Sequence, residues 1–164
     1  MHYTPTLGPE QFRRTLYAFW RRNSPPAYLF DAASRRECEV GLRRTNSPLH
    51  ALALLNDRSY LQAARGLARQ QLRDSSAGVV GRMFERVLLR SAGASELLEL
   101  ERVHAQALAH YAAQPEDARA FLEQATPILV EDEGSATALE PSALAAATVV
   151  ASLLFNLDEA QTRE

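Results

Sequence analysis

The sequence predicts an all-α fold, about six to seven helices in an irregular bundle, with one packed irregular segment around residues 27–44. Three observations carry this prediction. Apolar residues recur at helical spacing, most closely at Val80, Met83, Phe84, Val87 and Leu88, which repeats i, i+3, i+4, i+7, i+8. Prolines 9, 48, 115 and 141 head such runs, where a fixed φ and a missing N–H suit the first helical turn. Strand-like alternation is confined to Cys38, Val40 and Leu42, a short extended piece at most.

The elements follow in order. Gly8-Pro9 opens a helix whose stripe is Phe12, Leu16, Phe19 and Trp20, and Asn23-Ser24-Pro25-Pro26 ends it. From Ala27 to Arg44 the pattern is irregular, read as a loop packed down on the helices. Ser47 and Pro48 then form an N-cap and first residue, and this helix stops at Asn56-Asp57. Asp57 caps the next, with Leu61, Ala64, Ala68 and Leu72 on one face. After a polar break from Arg73 to Gly78, the Val80–Leu88 run follows, with Gly93 as its expected C-terminal cap.

Ser95 is expected to begin the longest helix, with Glu96 and Glu99 near its positive end. Its inner side is expected at Leu97, Leu100, Val103, Ala107, Leu108 and Tyr111. Pro115 starts a short helix that turns Ala118, Phe121 and Leu122 inward. Thr126 to Glu140 reads as a long acidic loop. Pro141 begins the last helix, with a stripe of Leu144, Thr148, Ala151 and Leu154 or Phe155, and Asn156 ends it.

Length and composition bound the class. A chain of 164 residues is read as one helical domain, 1–164, able to bury roughly 70% of its unfolded surface. Hydrophobic content of 46% and charged content of 23% are those of a globular protein. The apolar run Ala143–Phe155 is too short to cross a bilayer, so no membrane span is expected. The N-terminus, MHYTPTLGPEQFRR, lacks an apolar run behind a basic start and is not read as a signal peptide.

Net charge of −2 hides a division. Residues 1–90 carry 15 Arg and 7 acids, whereas residues 91–164 carry 3 Arg and 13 acids. One reading is a polyanion site, since guanidinium groups grip phosphate or sulfate bidentately. The other is mutual neutralisation of two halves of one domain. Lysine is absent, which argues against a nucleic-acid partner.

The richest stretch is Phe30 to Leu72, where specific polar residues stand among small and aliphatic ones. Asp31, Arg35, Arg44, Asn46, Asn56 and Arg65 are the candidate ligand-binding residues. A carboxylate–guanidinium set there would lock the 27–44 segment onto the helices, or line a pocket for an anionic ligand. Asn46 is equally a turn residue and Asp57 an N-cap. No catalytic residue is assigned. Cys38, between Glu37 and Glu39, reads as a structural thiol, because flanking carboxylates blunt its nucleophilicity. His50 reads as a surface or half-buried residue. His104 and His110 are spaced off one helical face, so no metal and no cofactor are expected.

The run Arg44-Thr45-Asn46-Ser47-Pro48-Leu49-His50-Ala51-Leu52-Ala53-Leu54-Leu55-Asn56-Asp57 resembles the signature of the domain of unknown function 1553, found mainly in planctomycetes and related bacteria. Leu16–Arg22, Phe30–Arg35 and Asn156-Leu157-Asp158-Glu159 resemble further motifs of that family, in the family's order. Ala33 and Arg58 stand where it usually has proline, and Ala147 where it often has tryptophan. The resemblance implies that this chain is the C-terminal part of a longer domain. It also implies an exported or cell-envelope protein and partner domains that include a cytochrome c-like module. A Cys-x-x-Cys-His haem motif is absent from this chain.

Two functions are therefore expected as alternatives. One is a non-catalytic helical binding or scaffold module of a larger protein. The other is part of an enzyme or carbohydrate-processing domain that holds an anionic polysaccharide through its Arg-rich segment.

Overall fold

A computed structural model describes residues 48–125 and 139–161. Among the described residues there are seven helices and no strand. They are α1 (Pro48–Asn56), α2 (Arg58–Asp74), α3 (Val79–Leu88), α4 (Ala94–Ala113), α5 (Pro115–Gln124), α6 (Pro141–Phe155) and α7 (Asp158–Gln161). The expected helix at Pro9, the 27–44 segment, the Ser47 cap and most of the acidic loop lie outside the described residues.

Caps explain where the chain turns. The Asp57 carboxylate accepts the Ser59 and Tyr60 N–H groups at 2.8 and 3.2 Å, which satisfies two of the orphan donors of α2. Arg58 follows at the first helical position, where proline would also fit. The C-terminal carbonyls of α2 are held from α3: the Arg82 guanidinium donates to the Gln71 and Ser75 carbonyls, and to that of Ala77 beyond. Gly78, at φ +64°, makes the left-handed turn into α3.

The expected cap at Gly93 is corrected. The α3 helix ends at Leu88, and Leu89 takes the left-handed conformation at φ 57° with its N–H bonded to the Glu85 carbonyl. Gly93, at φ −68°, is instead the N-cap of α4, which starts at Ala94 rather than Ser95. Its N–H donates to the Glu96 carboxylate at 2.7 Å, the reach-back half of a capping box.

The core gathers on α6. Ala145, Ala147, Val150, Ala151 and Leu154 pack with Ala64 and Ala68 of α2, Val80, Met83 and Phe84 of α3, and Ala118 and Leu122 of α5. The sequence stripe understated this helix, since ten of its fifteen residues are buried. An uncharged, alanine-rich helix lets neighbours approach on several sides, so it takes the centre. Ala147, fully buried, leaves no room for a tryptophan without displacing those neighbours. Thr148 is buried too, and its hydroxyl donates to the Leu144 carbonyl at 2.7 Å, so burial leaves no orphan donor.

By contrast, α4 covers the core from outside. Leu97, Leu100, Val103 and Tyr111 lean on it half-buried, on the face the spacing predicts, and none of its twenty residues is fully buried. Tyr111 stacks on Phe121 of α5, with ring centroids 5.8 Å apart. No helix among the described residues is long and apolar enough to cross a membrane.

Candidate functional site

The Asn56-Asp57 end of the strongest sequence motif forms a corner between α1 and α2. Asn56, Arg58 and Leu61 line a shallow open groove there of about 560 Å³, closed on the other side by Ala120, Glu123 and Gln124 of α5. The Asn56 side chain is exposed and donates to the Leu52 carbonyl at 2.8 Å. That bond leaves its amide oxygen as an acceptor at the rim. Leu61 and Ala120 supply the apolar lining, while Arg58 and Glu123 place one charge of each sign.

Of the six residues singled out from sequence, Asn56 reaches this groove and Arg65 does not. Arg65 lies seven residues beyond Arg58, roughly 10 Å farther along α2, where it is half-buried. Asp31, Arg35, Arg44 and Asn46 lie outside the described residues, as does Cys38. The groove residues Arg58, Glu123 and Gln124 escaped sequence reasoning. Arg58 carried a signal, as a departure beside the Leu-Asn-Asp run, whereas the approach of α5 left none in the local pattern.

A second polar cluster was also illegible. Arg90, between α3 and α4, donates to both carboxylate oxygens of Glu96 at 2.8 and 2.9 Å and to both of Glu159 at 2.8 Å. Its guanidinium lies 4.8 Å from the centre of the Phe84 ring. These bonds tie α7 to the start of α4. The Arg90 bonds, then the Gly93 N–H, hold the Glu96 carboxyl down to about 2. Glu159 is also held below the ordinary carboxylate value, chiefly by Arg90.

The described histidines divide between α1 and α4. His50 is buried at 9% exposure, deeper than the surface or half-buried place expected for it. His104 is half-buried on α4, and burial pushes its pKa down. His110 sits 3.8 Å from Asp117 at the α4–α5 corner. Among the described residues no group of three or more His, Cys, Asp or Glu side chains is placed to hold a metal ion.

The described part of the 44–57 run, residues 48–57, meets the 156–159 motif although the two are far apart in the chain. The Asn156 amide donates to the Ala51 carbonyl of α1 at 3.3 Å, and the Gln161 amide donates to the Asn156 side-chain oxygen at 3.4 Å. Asn156 thus joins the end of α6 to the signature helix.

Fold and corner together define an all-α helical-bundle protein whose polar groups, where described, chiefly hold helix ends to one another. The chain belongs to the family described as protein of unknown function (DUF1553), whose model matches residues 1–104. The match ends at His104, inside α4, while the Asn156–Ala51 bond links a residue beyond it to one within it. No curated protein and no solved structure matches the chain.

Proposed function

We propose that this chain is a non-catalytic helical binding or scaffold module, and that it works as one domain across residues 1–164. The observation that supports this is the α1–α2 corner: amide, cationic and anionic side chains rim an open groove with an apolar lining. That set offers recognition, and its six residues hold no nucleophile beside a base. In this reading Asp31, Arg35, Arg44, Asn46 and Asn56 contact the ligand, and Arg65 meets it farther along α2, outside the groove. The partner is another domain of a larger protein, with a cytochrome c-like module among the candidates.

A specific feature favours a second reading, an enzyme part that holds an anionic polysaccharide. Arg58, Arg65, Arg69 and Arg73 recur along α2 at i, i+7, i+11 and i+15, one side of a helix. The test is a thermal-shift panel of sulfated, uronic and neutral oligosaccharides together with candidate partner domains. Binding of a partner domain that is lost in Arg58→Ala and Glu123→Ala, with the apo melting temperature kept, supports the module. Stabilisation by anionic glycans alone, lost in Arg44→Ala and accompanied by glycan cleavage, overturns it in favour of the second.

A further inference from the structure

The signature helix α1 carries no charged residue from Pro48 to Asn56, yet only His50 and Leu54 of it are buried. Leu49 and Leu52, at i and i+3 on one face, are 68% and 57% exposed. A nine-residue helix does not hold together in water by itself. It depends on packing, and one side of it shows leucine to solvent.

The sequence holds a matching face. Phe12, Leu16, Phe19 and Trp20 fall at i, i+4, i+7 and i+8, an apolar stripe that needs a partner as much as α1 does. Both stretches lie within the single family match over residues 1–104. The 27 residues between Trp20 and Pro48 give ample chain to fold back. Arg13, Arg14, Arg21 and Arg22 flank the stripe, and an uncharged α1 opposes none of them. A second copy pairing α1 with α1 would cover the leucines without drawing on the Phe12–Trp20 stripe. We infer that the Phe12–Trp20 stripe is the occupant of the Leu49–Leu52 face, an intrachain contact that covers both.

Trp20 is the sole tryptophan, so its emission reports this contact directly. In the full chain it should be blue-shifted and protected from acrylamide. Leu49→Asp with Leu52→Asp should shift the emission to the red and raise quenching toward the denatured value, while cooperative melting persists. Leu98→Asp, at an equally exposed leucine of α4, should change neither. A nitroxide on Leu52→Cys in a Cys38→Ser background should quench Trp20, and one on Leu98→Cys should not. A solvent-exposed Trp20 in the wild type, an emission indifferent to the double substitution, or equal quenching from both labels overturns the inference. So does a dimer by light scattering that Leu52→Asp dissolves, because a second copy would then cover the face.

Discussion

Helices α1 and α6 are alike on paper and opposite in place. Each begins with proline, carries no charge and is apolar nearly all round. Yet α6 buries ten of fifteen residues, and α1 two of nine. Apolarity states what a helix needs. Burial depends on how many neighbours reach it, and alanine decides that for α6: Ala145, Ala147 and Ala151 let α2, α3 and α4 come close on several sides. Where α6 has alanine, α1 has projecting leucines, and among the described residues they find fewer walls.

The largest expected effect lies on the α6 side. Leu154→Ala removes a fully buried side chain and should cost about 3 kcal/mol, read from the denaturant midpoint at constant m-value. A cost near zero would put the centre of the core elsewhere. Next comes the cap that joins α1 to α2. Asp57→Ala frees the Ser59 and Tyr60 N–H groups and should cost about 1 kcal/mol, while Asp57→Asn should recover most of it. Chemical denaturation of both variants checks this.

Leu52→Ala sharpens the contrast directly. With its face covered by one amphipathic stripe, the loss should be about 0.5–1 kcal/mol, more than a bare surface change yet well below a core truncation. A loss as large as that of Leu154→Ala would place α1 in the same dense environment as α6 and erase the distinction.

The smallest effect belongs to the exposed clamp. Arg90→Ala should lower the melting temperature slightly, and added salt should shrink the difference, since such pairs are screened. Its pH dependence has a definite sign. The Glu96 carboxyl falls from its ordinary 4.5 to about 2 in the folded chain. The clamp's contribution is therefore present above about 4.5 and is lost as pH falls through about 2. Melting curves of wild type and variant should converge across that window; curves that stay parallel would mean the Arg90 bonds do not govern Glu96.

Much of the fold was legible because its signals are local. Pro48, Asp57, Pro115 and Pro141 marked helix starts that the structure shares, and the inner side of α4 was readable from spacing alone. The Gly93 reading failed because a glycine after a helix suits a C-cap and an N-cap alike. Leu89 took the left-handed position, against the usual preference for glycine there. The candidate site was less legible. Asn56 was visible inside its motif, but Glu123 and Gln124 sit on a helix whose approach no local pattern announces.

By itself, the sequence determined that the chain is helical, where the described helices begin, and which family it belongs to. Periodicity and capping act within a few residues, so they can be read from the string. Tertiary structure alone decided that α6 lies at the centre, that Arg90 meets Glu159 across 69 positions, and that Asn156 reaches Ala51 across 105. Those pairings follow from the path of the backbone through the bundle. Each arginine or amide had many partners of suitable chemistry, and only packing of the apolar faces selected among them.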